Sequence, residues 1–187
     1  MPRPFFAEEV IPVELGLTFP LQRQLKIRSV PYGTASGRWT CWDLHGITLR
    51  GRSSLLIVHC ASRYTLTVFD TGPLDRAQLP DLAVAQIRRG LEEAGIPRAK
   101  RAAYWAGAGA PELTRTHGRR EVAFLNRAWE DVLALDHAVD TAQQAQPLLD
   151  RAVNLRSCRC AGQVGVGTAL SFLRRGFGLL EAHTSGS

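Results

Sequence analysis

Apolar and polar positions alternate in two different periods along the 187-residue chain, and the change of period marks out its elements. Residues 54–60, SLLIVHC, form a nearly continuous apolar run, as expected of a strand buried on both faces. Residues 64–69, YTLTVF, are β-branched and aromatic, and Ala61, Ser62 and Arg63 between the two runs suit a hairpin. Upstream, 38–49 (RWTCWDLHGITL) holds Trp39, Cys41, Trp42, Ile47 and Leu49 around Gly46 and predicts a further strand. Helical spacing begins at Leu79: Leu82, Ala83, Ile87, Leu91 and Ala94 continue one stripe, Pro80 fits the first helical position, and Gly95 with Pro97 stops the helix. A second helix is expected from Arg119 to about Asp136, with Val122, Leu125, Trp129, Val132 and Leu133 facing the core.

Weaker patterns fill the rest. Residues 15–27 predict a short strand and a helical turn, and 30–37 a loop. RAAYWA at 101–106 reads as a strand, Gly107, Gly109 and Pro111 as a turn, and ELTRT at 112–116 as another short strand. Shorter helices are expected within 143–155 and 168–175. The fold class is therefore α+β, a small and mainly antiparallel sheet packed by two long amphipathic helices. The predicted organisation is an N-terminal extension at 1–14, broken by Pro2, Pro4 and Pro12, a core domain at 15–140, and a helical then Gly-rich C-terminal appendage at 141–187.

Composition narrows the classes. The chain has an ordinary globular hydrophobic content of 45% and no apolar run of the ~18 residues a membrane span needs. The N-terminus lacks the pattern of a secretion signal, so a cytoplasmic location and no membrane partner are expected. Net charge is +6, carried almost wholly by arginine: Lys26 and Lys100 are the lysines. Such a balance favours a polyanion partner, although the arginines are spread along the chain with doublets at 88–89, 119–120 and 174–175. Cys41 with His45, His59 with Cys60, and Cys158 with Cys160 are the metal-ligand pairs to consider. Their spacing is irregular and includes no Cys-x-x-Cys, so neither a metal nor a cofactor is expected. GQVGVG near the C-terminus has the wrong glycine order for a dinucleotide fingerprint.

The second long helix draws attention to one edge. Arg119 and Asn126 are seven residues apart and Glu130 four further on, which stacks them beside the apolar stripe at 100° per residue. Asn is a poor mid-helix residue, so Asn126 either orients a ligand or ties down a loop. Upstream, Thr114, Thr116, His117 and Arg120 crowd the turn before the helix. His117 with two arginines and a threonine could serve phosphodiester chemistry, the imidazole as acid or base and the arginines at the phosphorane.

The segments LTFPLQRQLKI, RWTCWDLHGITLRGRSSLLIVHCASRYTLTVF, PDLAVAQIRRGLEEAGI and ELTRTHGRREVAFLNRAWEDVL together resemble a family of small uncharacterised bacterial domains, over residues 15–140. In that pattern a Thr-rich turn leads to an Arg and then an Asn, matched here by Thr114, Thr116, Arg119 and Asn126, whereas the hairpin departs from it with His59 and Tyr64-Thr65. The resemblance implies a setting among mobile elements, toxin–antitoxin pairs or defence genes. Three functions are carried forward. One is a non-catalytic basic module that engages nucleic acid or a protein partner through Thr114, Thr116, His117, Arg119, Arg120 and Asn126. Another is a basic ribonuclease-like toxin using His117 and its arginines. The last is a protein-interaction or homo-oligomerisation domain that docks through Val164, Val166, Leu170, Phe172 and Phe177.

Overall fold

Val13, Leu15 and Leu17 point to one side of a strand and Glu14 and Gly16 to the other, and this alternation sets up the centre of the fold. The strand, β1 (Ile11–Leu17), belongs to a computed structural model that describes residues 11–160 and 162–179. Residues 11–14, expected in an extension, are therefore strand; the rest of that extension, with Pro2 and Pro4, lies outside the described residues, as does the extreme C-terminus. Pro12 is tolerated because the β1–β2 ladder starts only at Glu14, and because the register against β5 shifts between Pro12 and Glu14.

The sheet is mixed. β3 (Arg52–His59) pairs antiparallel with both β2 (Cys41–Leu49) and β4 (Thr65–Val68), and β1 joins β2 and β5 (Ala108–Arg115) by parallel ladders, giving the order β4-β3-β2-β1-β5. Arg50 and Gly51, both with positive φ, turn the β2–β3 hairpin in two residues. The 61–63 connection falls between β3 and β4, as expected.

Helices cover both faces. On the face of Val13, Leu15, Trp42, Leu44, Leu55 and Ile57 lie α2 (Leu79–Glu93) with Leu79, Ala83, Ile87 and Leu91, α3 (Arg98–Ala106) with Tyr104, and α6 (Ala169–Gly176) with Leu173. Against Ile47, Leu49, Leu56 and Val58 on the other face pack α4 (Arg119–Ala134) with Leu125, Ala128 and Val132, and α5 (Pro147–Asn154) with Leu149 and Val153. The remaining helix among the described residues, α1 (Phe19–Gln24), buries Leu21.

Two local expectations are corrected. Residues 101–106 are helical, not extended: the Ala- and Arg-rich stretch favours a helix, which docks through buried Tyr104 with Trp105 packed against the core. Gly107–Pro111 is not a turn; Ala108 onward is β5, an edge strand that takes up an extra residue at Ala110–Pro111, where the missing Pro N–H breaks no ladder bond.

The segment expected as an appendage seals the opposite edge. Asn154 on α5 accepts from the Thr65 amide (2.8 Å) and donates to the Thr65 carbonyl (2.7 Å), while Asp150 accepts from the Thr67 amide (2.8 Å). Phe69 N donates to Gln144 O (2.7 Å), and Val68 bridges Ala145. Side chains and loop thus occupy the free backbone groups of β4 that would otherwise invite another strand.

Burial raises the pKa of Asp150 well above its ordinary value, against the pull of Thr67 and Arg89. Its native form therefore holds a proton that the unfolded chain releases near pH 4, and stability falls as pH rises from there through the raised native pKa. Asp150→Asn, which keeps the Thr67 contact, is expected to stabilise the protein at pH 8, and the gain should vanish below about pH 4 in urea titrations.

Candidate functional site

Glu14 and Gly16 of β1, Cys41 and Asp43 of β2, and Cys60 just past β3 share one face of the sheet, because each pair is two residues apart and the registers match Glu14 with Cys41 and Gly16 with Asp43. Cys60 N donates to Cys41 O (3.0 Å), which sets the two thiols on neighbouring strands. This polar strip continues the face whose apolar part is covered by α4.

His117, in the connection between β5 and α4, caps the strip. Its Nδ1 lies 2.6 Å from Asp43 Oδ1 and its Nε2 2.9 Å from Glu14 Oε2, so the ring spans carboxylates from two adjacent strands. Cys60 Sγ stands 3.6 Å from Nδ1, and Cys41 Sγ donates to Glu14 Oε2 at 3.6 Å. The other oxygen of Glu14 accepts from the amides of Thr34 and Ala35, which folds the 31–37 loop over the strip. A Cβ on Gly16 would stand 2.0 Å from Asp43 Oδ1 and 2.9 Å from His117 Nδ1; only glycine leaves room for the ring and the carboxylate together.

Burial works against charge on the His117 ring, but hydrogen bonds to Asp43, Cys41 and Cys60 outweigh it and hold the pKa far above the usual histidine range. Burial likewise works against ionised Glu14, and the Ala35 amide, His117 and the Thr34 amide together bring its pKa below the ordinary carboxylate value. The Cys60 thiol is pushed up by burial and stays protonated. The ring is thus an imidazolium donating to one carboxylate at each nitrogen.

A second buried acid supports the first group. Glu121, 4% exposed in the first turn of α4, pairs with Arg38 (3.3 Å) and Arg120 (2.8 Å), and Arg38 also donates to the His117 carbonyl (2.9 Å). Gly118 starts the helix at φ +131°, a backbone conformation suited to glycine, and so turns His117 back onto the sheet.

The residues singled out from sequence do not all converge. His117 is central but buried, not exposed. Thr114 is buried with its hydroxyl on the Arg115 carbonyl, and Thr116 is half-buried. Arg119 and Arg120 are exposed at the start of α4. Asn126 and Glu130 face solvent, and Glu130 pairs with Arg127 (2.7 Å) instead of Arg119. The buried stripe is Leu125, Ala128 and Val132, with Leu133 45% exposed, so the line through Asn126 points away from the sheet.

Glu14, Asp43 and Glu121 were missed. The signal for two of them was a lone acid inside an apolar alternation, VEL and WDL, since a charge buried there demands a partner. The cysteine–histidine pairs of the sequence are not the ones formed. His45 bonds Thr18 (2.8 Å), and His59 faces the other side of the sheet on Ser62 (2.7 Å) and the Trp39 carbonyl (2.8 Å), kept neutral by burial at a pKa of about 4.

Basic side chains gather elsewhere. Arg88, Arg89, Arg98 and Arg101 line a groove between α2 and α3 with Glu92 and Trp105, and the Arg88 guanidinium lies 4.2 Å over the Trp105 ring. Arg115 covers Tyr32, 73% exposed, at 4.6 Å. No helix among the described residues is long and apolar enough to cross a membrane.

The profile of a family described as a domain of unknown function, DUF6933, matches residues 14–167. The chain belongs to this family. The match takes in the whole strip of the DUF6933 domain, from Glu14 through Cys41, Asp43 and Cys60 to His117, and reaches past the 15–140 span of the resemblance to include α5. No curated protein matches the chain.

His117→Ala removes the positive charge and strands two buried carboxylates, which is expected to cost about 3–5 kcal/mol in chemical denaturation. Gly16→Ala should destabilise through the same strip, with an altered histidine environment visible by NMR, although it removes no charge.

Proposed function

We propose that this DUF6933 chain is a non-catalytic basic module that binds single-stranded nucleic acid, with the α2–α3 groove as its main contact. What carries the reading is the exposed arginine groove with Trp105 in its wall. Arg88 and Arg98 are exposed, while Arg89 and Arg101 are already partnered by Glu93 and Glu92. A cationic channel supplies sequence-independent attraction to phosphates, and an aromatic face beside it takes a stacked base. The exposed Arg119 and Arg120 at the start of α4 add a second basic patch, which keeps part of the Thr114–Asn126 region in the interface. A regulatory or defence setting and a cytoplasmic location, in keeping with the reduced thiols of Cys41, Cys60 and Cys158, belong to the same proposal.

The ribonuclease alternative gains no support from His117, which is buried with both ring nitrogens spent on carboxylates. A protein-interaction role has one observation behind it: Val164 and Val166 are 90% and 59% exposed, while Phe172 of the same segment is fully buried and anchors it.

Fluorescence anisotropy with labelled single-stranded and duplex oligonucleotides across a salt series tests the proposal. Binding should weaken linearly in log–log form with salt, and Arg88→Glu with Arg98→Glu should lower affinity at least ~10-fold and flatten the slope by about 0.7 per lost phosphate contact. Trp105→Ala should cost about 1–3 kcal/mol of binding to single strands. Absence of binding at low salt contradicts the reading, and cleavage of the oligonucleotide in the same tubes would revive the enzymatic one.

A further inference from the structure

The strip around His117 is arranged as a metal site with its supporting shell. Glu14 Oε2, Cys41 Sγ and His117 Nε2 converge with their ligand atoms all within 4.8 Å of one another. Two of the separations are 2.9 Å between Nε2 and Oε2 and 3.6 Å between Sγ and Oε2. Tetrahedral zinc with bonds of about 2.0–2.3 Å sets its ligand atoms roughly 3.3–3.8 Å apart, so small side-chain adjustments bring the three to an ion.

Each of these ligands already has the partner that a bound metal would require. Asp43 sits on the far nitrogen of His117 at 2.6 Å, the carboxylate–histidine arrangement that fixes the tautomer and ring orientation of metal-bound histidines. Glu14 keeps one oxygen on the Thr34 and Ala35 amides and leaves the other for the shared point. Cys41 Sγ rests 3.4 Å from the Gly37 carbonyl, while Cys60 Sγ stands beside the other ring nitrogen, 3.6 Å from Nδ1. The alternative set of Asp43, Cys60 and His117 meets the same distance limit, but its 2.6 Å between Nδ1 and Oδ1 is further from the tetrahedral spacing than the 2.9 Å of the first set.

We propose that Glu14, Cys41 and His117, with Asp43 orienting the histidine, bind one divalent ion of the zinc class. A thiolate, imidazole and carboxylate set selects zinc or cobalt over magnesium or calcium. Glu14 and Cys41 are fully buried and His117 is 8% exposed, so the ion would be held inside the protein, joining β1, β2 and the β5–α4 connection. In the metal-free protein the proton on Nε2 holds the same place. The irregular sequence spacing hid the site because its ligands come from two strands and a connection that meet only in the folded sheet.

The test is titration of the chelator-stripped full chain with Co²⁺, followed by displacement with Zn²⁺. Saturation at one equivalent is expected, with the intense visible bands of a tetrahedral site and a near-ultraviolet thiolate charge-transfer band. Cys41→Ser should abolish that band, whereas Cys158→Ser should leave it unchanged. Asp43→Asn should loosen cobalt about 10–100-fold while keeping the band. Circular dichroism verifies that each variant folds, and if the cysteine variants do not, Asp43→Asn decides. No saturable tetrahedral spectrum, a band indifferent to Cys41→Ser, or an affinity indifferent to Asp43→Asn would overturn the proposal.

Discussion

A buried imidazolium held between two carboxylates is the interaction on which the rest of this domain depends. Glu14 and Asp43 lie on neighbouring parallel strands, and like charges so placed repel unless a cation stands between them. His117 supplies that cation from the far end of β5, and in doing so it pins the start of α4 to the sheet. Glu14 also reaches the 31–37 loop through the Thr34 and Ala35 amides, and Arg38 closes the circuit by bonding both the His117 carbonyl and Glu121. One charged ring thereby couples two strands, a loop and a helix. Such a cluster adds less net stability than apolar packing of the same volume, but breaking it is expensive, so it favours one arrangement over its competitors.

The division of labour follows from where charge is buried and where it is free. Helices pack on both faces of the sheet, α2, α3 and α6 on one and α4 and α5 on the other, and the strip is buried, with His117 8% exposed. Among the described residues Arg88, Arg98 and Arg119 are exposed and form no ion pair, and they lie on α2, on α3 and at the start of α4. The net charge of +6 is thus expressed on the surface, while the acids that offset it are partly consumed inside. The proposed binding role rests on this separation.

Much of the frame was legible in the chain. The apolar run before Cys60, the hairpin after it and the stripe ending at Gly95 are local signals, and the structure places strands and a helix there. Local signals failed where a tertiary contact decides. Pro12 reads as a breaker until the register shows that its amide would have met no ladder partner. The stretch 101–106 has an aromatic, strand-like look, and only its docking through Tyr104 shows it as a helix. Asn154 gave no sign that it completes the backbone hydrogen bonding of Thr65, 89 residues away. His117 was noticed for its neighbours in sequence, yet its chemistry comes from Glu14 and Asp43, 103 and 74 residues distant. What marks those acids in the chain is their isolation among apolar residues, a cue to a buried charge but silent about its partner.

The central claim, that Glu14 and His117 act as one unit, is tested most directly by a double-mutant cycle in urea with a chelator present, using Glu14→Gln, His117→Ala and the pair. Gln keeps the acceptor for the loop amides, so the cycle isolates the charge interaction. A coupling free energy of about 2 kcal/mol or more is predicted. Single-variant effects that add to within about 0.5 kcal/mol would contradict the account.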